Sequence, residues 1–151
     1  MTSSNVKSSV FFDASVLFSA LYSTSGGSRA LALLVQRGVL RGYMSATVIE
    51  EVERHREKFP EPLPDIHGFI VDFGFVVREH IEEDELEPWI GSVDLEDAHV
   101  IAGAVSMHAD YLVSLDKKHL VNSHVQSRVT AVRIVTPKDC LAYLRKEGIE
   151  E

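Results

Sequence analysis

With 151 residues, 45% of them hydrophobic, the chain has material for one packed domain and too little for two. Its formal net charge of −8, from 15 basic and 23 acidic residues, argues against a protein that coats nucleic acid non-specifically, because such affinity comes from Lys and Arg neutralising phosphates. One cysteine, Cys140, permits neither an internal disulfide nor a cysteine-built zinc site, and the longest apolar run, Ala30 to Val35, is far short of the roughly 20 residues of a membrane span. Nothing upstream of Val10 resembles a signal peptide, so a soluble, cytoplasmic protein with no membrane contact is expected.

The polar, serine-rich start reads as a flexible tail over 1–8, ahead of a domain over 9–147. Ser9 to Phe12 reads as a short buried strand, and Ala14 to Tyr22 as a helix with Val16, Leu17, Ala20 and Leu21 at helical spacing. The Gly26-Gly27 pair breaks that pattern before a helix from Arg29 to Arg37, stopped at Gly38. Val39 to Met44 is the next strand, and Ser45 caps a helix running through Val48, Ile49 and Val52 towards Lys58. Three prolines make Phe59 to Pro64 a connector, followed by a helix over Asp65 to Asp72 and a strand over Phe73 to Arg78. After the acidic stretch Glu79 to Glu87 comes a strong helix, Leu95 to His108, and then strands at Tyr111 to Leu115 and Ala131 to Val135. Thr136, Pro137 and Asp139 launch a last helix through Leu141 and Leu144.

Short apolar strands alternating with helices predict an α/β domain of three layers, α/β/α, around a central, mainly parallel sheet. In such folds the reactive crevice lies beyond the carboxyl ends of the strands, and Asp13 stands there, between a buried strand and the helix that follows. Glu51 in the helix after the second strand, Asp97 in the first turn of the long helix and Asp116 after YLVSL occupy comparable places. If they converge, their mutual repulsion requires protons or cations, and oxygen ligands with few histidines favour Mg²⁺ or Mn²⁺. Such ions activate water and neutralise charge on a phosphate under attack.

Each acid also has a plainer account. Asp94 reads as the N-cap of the long helix and Asp97 as its third residue, two acids at the positive end. Glu50 and Glu51 belong to a charge-rich helix face, and Asp13 and Asp116 suit turns. Arg29, Lys117 and Lys118 are candidates for phosphate contacts. Of the histidines, His99, His108 and His119 read as surface or packing residues, with His119 able to touch substrate, and Trp89 reads as packing.

Taken together, VFFDASVLFSAL, SATVIEEV and DLEDAHVIAGAVSMHADYLVSLDKKHL resemble the successive acidic motifs of the PIN-domain family, over nearly the whole chain from Val10 to Leu144. The resemblance implies a compact α/β nuclease that binds divalent metal and cleaves single-stranded RNA. It carries the family's metal-binding acids onto Asp13, Glu51, Asp97 and Asp116, with Glu51 chosen over Glu50 by its distance from Ser45. Ser15 and Ser114 become supporting residues, standing where the family often has asparagine and threonine, with Asp94 at the edge of the cluster.

The function expected on this basis is a Mg²⁺- or Mn²⁺-dependent endoribonuclease, the toxin of a toxin-antitoxin pair, with a small antitoxin as partner and a homodimer or higher homo-oligomer as its assembly. The rivals are a catalytically inactive PIN-like module that binds RNA or protein, and a receiver-type phosphoryl-transfer domain. Against the receiver, no Asp ends the strand near Val77, where a phosphoacceptor would stand.

Overall fold

The structure, a computed structural model, describes residues 7–58, 60, 62 and 64–150. Its first strand, β1 (Ser9–Phe12), buries Val10, Phe11 and Phe12 completely, as a strand covered on both faces must. After it come α1 (Ala14–Tyr22), α2 (Gly27–Gln36), β2 (Arg41–Ser45), α3 (Ala46–Arg54), α4 (Ile66–Phe73) and β3 (Val76–Arg78). The chain continues through α5 (Glu83–Leu86), α6 (Leu95–Ser106), β4 (Tyr111–Val113), α7 (Ser123–Arg128), β5 (Arg133–Val135) and α8 (Pro137–Lys146).

Among the described residues the strands form one five-stranded sheet in the order β3-β2-β1-β4-β5, and every neighbouring pair is parallel. Helices flank it, so the expected α/β architecture is the observed one. β1 lies at the centre, with Phe12 in register with Val113 of β4 and Phe11 with Tyr43 of β2. Gly103 lets α6 lie close on β1: a Cβ there would stand 2.8 Å from Phe11 Cζ, and Phe11 has no exposed surface into which to retreat.

The helix starts follow their caps. Ser45 Oγ accepts from Val48 N–H at 3.2 Å to open α3, and Thr136 Oγ1 accepts from Asp139 N–H at 3.2 Å to open α8, where Pro137 takes the first turn.

The main differences from the sequence expectation fall at three places. The strand expected from Phe73 begins at Val76, because Phe73 ends α4 and Gly74 terminates that helix in the left-handed conformation (φ 81°). The acidic stretch of undecided conformation forms α5 and a 3₁₀ turn at Glu87–Trp89, and the unexpected α7 is capped by Asn122, which accepts from Val125 N–H at 2.9 Å. The tail over 1–8 lies outside the described residues except for Lys7 and Ser8, as do positions 59, 61 and 63 of the connector.

Candidate active site at the carboxyl edge of the sheet

The strand order sets the place of the site. From β1 the chain moves outward to β2 and β3, then returns to the other side of β1 as β4 and β5, so the direction of winding reverses between β1 and β4. A crevice opens at such a reversal, at the carboxyl ends of the strands. Asp13 follows β1 directly and its N–H donates to Val113 O at 3.1 Å, tying it to the end of β4. α6 precedes β4 and must run back across the sheet, which brings its first turn, with Asp94 and Asp97, to the same edge. α3 leaves β2 at that edge and carries Glu51 in its second turn.

Asp13 is only 8% exposed, and hydrogen bonds fix its carboxylate. Oδ1 accepts from Ala14 N–H at 2.6 Å, while Oδ2 accepts from Ser114 Oγ at 2.5 Å and from Ser15 Oγ at 3.2 Å. The same serines reach across to the loop after β4. Ser15 Oγ accepts from Leu115 N–H at 3.0 Å and Ser114 Oγ from Asp116 N–H at 3.1 Å. Burial nevertheless pushes the Asp13 carboxyl above its ordinary range; the Ser114 hydrogen bond opposes that shift and the charge of Glu51 adds to it.

Asp97 shows the convergence of the acids most clearly. Burial, together with the charges of Asp116, Asp13 and Asp94, raises its carboxyl from 3.8 to about 6, with His119 acting in the opposite direction. Asp116 is oriented by His119, whose N–H donates to Oδ1 at 3.0 Å and whose Nδ1 lies 3.2 Å from Oδ2. Asp94 holds the N-cap position of α6, but its side chain makes no cap hydrogen bond, so the capping role expected of it is filled by backbone position alone.

Glu50 and Glu51 take opposite directions. Glu51 faces inward, with Oε1 at 3.4 Å from Nε2 of the buried His99. Glu50 turns to solvent and pairs with His80 at 2.5 Å.

Of the three basic candidates, Lys117 and Lys118 are exposed in the loop that carries Asp116, where their carbonyls accept from the Asn122 amide. Arg29 lies elsewhere. Its Nη1 donates to Ala20 O at 2.8 Å and its guanidinium lies 5.8 and 5.0 Å from the Phe69 and Phe73 ring centroids, so it joins α1, α2 and α4. Trp89 packs against the core. His99 and its contact with Glu51 went unread in the sequence; the available signal was a polar ring inside DAHVIAGAV, where the helix is otherwise apolar.

Among the described residues no three His, Cys, Asp or Glu side chains stand close enough to hold a metal ion as they are. The donor set is nonetheless suited to a hard cation: carboxylate oxygens that feel one another's charge, one of them raised to about 6 by burial and by its acidic neighbours.

Residues 9–118 match a family model described as PIN domain, a span that includes Asp13, Glu51, Asp97 and Asp116. No curated protein matches the chain at a significant level. Among solved structures, PAE2754 from Pyrobaculum aerophilum is similar at a TM-score of 0.55 and 16% identity, over 92% of this chain and 90% of that one. VapBC2 from Rickettsia felis, solved bound to a DNA fragment from its promoter, is similar at a TM-score of 0.53 and 11% identity, over 83% of this chain and 96% of that one. At these identities the likeness is one of fold.

Proposed function

The chain belongs to the PIN-domain family, and from that premise we propose that it is a Mg²⁺- or Mn²⁺-dependent endoribonuclease acting on single-stranded RNA, the toxin of a toxin-antitoxin pair. PIN domains are generally nucleases that use divalent ions, which gives the reading its reaction class. The observation that carries it here is the electrostatic meeting of Asp13, Asp94, Asp97 and Asp116 at the point where the sheet reverses its winding, with Glu51 acting on Asp13 from α3.

In this reading Asp13, Glu51, Asp97 and Asp116 hold the cation, and the domain that does so spans 9–147. When bound, such an ion acidifies water and neutralises charge developing on the phosphodiester. The chain's own residues prepare that chemistry. Ser15 and Ser114 hold Asp13 in one orientation, and their hydroxyls are committed to it, which leaves them in supporting positions and not as nucleophiles. Without a cation, burial and the neighbouring acids raise the Asp97 carboxyl to about 6, so protons compete with a cation for this carboxylate as pH falls towards and below that value. Lys117 and Lys118, exposed beside Asp116, supply phosphate contacts to a backbone that the net charge of −8 would otherwise repel. Arg29 has no such part, being used in packing.

The similarity to VapBC2 supports an antitoxin as partner. A homodimer or higher oligomer and a cytoplasmic location complete the proposal; among the described residues no helix is long and apolar enough to cross a membrane. A second reading, a PIN-like module that binds RNA or protein without cleaving it, is favoured by one observation, the absence among the described residues of three ligands within coordinating reach. Incubating the purified protein with unstructured and structured RNAs, with Mn²⁺, Mg²⁺ or chelator, separates the two. Cation-dependent loss of the single-stranded RNA is expected, whereas binding without turnover in either metal belongs to the module.

A further inference from the structure

α6 buries His99 beside Ala98, Val100, Ile101, Ala102 and Ala104. The residue is 9% exposed, yet its Nδ1 has no hydrogen-bond partner among the described residues. An apolar side chain would fill this position without leaving a polar atom unpaired, so packing alone does not account for an imidazole here. The other ring nitrogen, Nε2, meets Glu51 Oε1 at 3.4 Å. A carboxylate can only accept, so a neutral ring that donates to Glu51 carries its proton on Nε2 and leaves a lone pair on the buried Nδ1. At this separation the two groups are within ion-pair reach without hydrogen-bond geometry; catalytic contacts often tighten only when the site is loaded.

We propose that His99 is a positioning residue, whose Nε2–H holds the Glu51 carboxylate inside the acidic pocket and so governs how tightly that pocket takes a divalent cation. The proposal rests on the nuclease reading of the site. It gives a reason for the orphaned nitrogen: the ring is kept for what one of its two nitrogens does, and the other goes without a partner. It also gives a reason for the difference between the two glutamates, since Glu50 has an exposed histidine of its own and no buried one.

Two measurements test it without relying on turnover. In ¹⁵N NMR of the cation-free protein, the His99 ring is expected as the Nε2–H tautomer, with resonances that move in Glu51→Gln and stay in place in Glu50→Gln. An Nδ1–H tautomer, or a ring indifferent to Glu51→Gln, overturns the proposal even if no His99 variant folds. In calorimetric titration with Mn²⁺, His99→Leu is expected to bind about tenfold more weakly while melting no lower than the parent, and His99→Gln, which keeps an N–H donor, to recover part of the affinity. Weaker binding that comes with a lower melting temperature and is not recovered by His99→Gln marks damaged packing and also overturns it. Parent-like affinity in His99→Leu, with Asp97→Asn binding weakly, removes the positioning role and leaves the nuclease reading standing. Parent-like affinity in Asp97→Asn as well removes both.

Discussion

Ser114 Oγ donates to Asp13 Oδ2 at 2.5 Å and accepts from Asp116 N–H at 3.1 Å, so one hydroxyl with no exposed surface links the acid after β1 to the acid after β4. Because hydrogen bonds to charged groups are worth more than neutral ones, and because Asp13 is buried, removing this hydroxyl is costly. Ser114→Ala is expected to destabilise the protein by about 2 kcal/mol in denaturant unfolding and to raise the Asp13 carboxyl further, since the Ser114 bond acts to lower it. An unfolding midpoint unchanged from the parent would mean that the link carries no weight.

Asp97 makes stability depend on pH in a defined direction. Its folded-state carboxyl is raised to about 6 from 3.8, first by burial and then by the charges of Asp116, Asp13 and Asp94. The protonated form is the one the fold favours, so its contribution is complete below pH 3.8 and is lost as pH rises through about 6. In chelator, the melting temperature of Asp97→Asn minus that of the parent should therefore grow from pH 4 to pH 7. A difference that stays flat across that window contradicts the assignment.

Glu50 and Glu51 are adjacent in sequence and opposite in environment. Glu51→Gln is expected to abolish RNA cleavage in Mn²⁺, and Glu50→Gln to cleave at the parent's rate, because Glu50 engages His80 in solvent. Equal losses in both variants would show that the inward orientation of Glu51 does not decide function.

Gly103→Ala tests how α6 is seated. The added Cβ would come within 2.8 Å of Phe11 Cζ, and Phe11 lies in the fully buried centre of the sheet. A loss of about 1–3 kcal/mol is expected in unfolding experiments, with weaker Mn²⁺ binding because the first turn of α6 carries Asp94 and Asp97. Parent-like stability would show that helix and strand can part at little cost.

Much of this was legible in the sequence because the determinants are local. Buried strands announce themselves as short apolar runs, and Ser45 and Thr136 mark helix starts at the residue. Asp13 and Asp116 come after buried strands and Glu51 and Asp97 lie in the opening turns of helices, so their shared edge follows from the alternation of strand and helix. What stayed hidden depended on partners distant in the chain. α7 has one buried residue, Val125, and hence no apolar stripe to read. Phe69 through Val77 is nearly all apolar, so neither period can be told from the other, and Gly74 sets the boundary through its backbone conformation. Arg29 looked like a free cation because Phe69 and Phe73, which receive it, lie on another helix. His99 looked like filler because Glu51 meets it only once α3 and α6 are in place.

The decisive experiment compares cleavage of single-stranded RNA by the parent and by Asp97→Asn, side by side, in Mn²⁺ and in chelator. The parent is expected to cut only with the cation, while the folded variant, whose amide is a poorer ligand of nearly the same shape, leaves the RNA intact. Cutting by Asp97→Asn at the parent's rate, or by the parent in chelator, contradicts a nuclease built on these carboxylates.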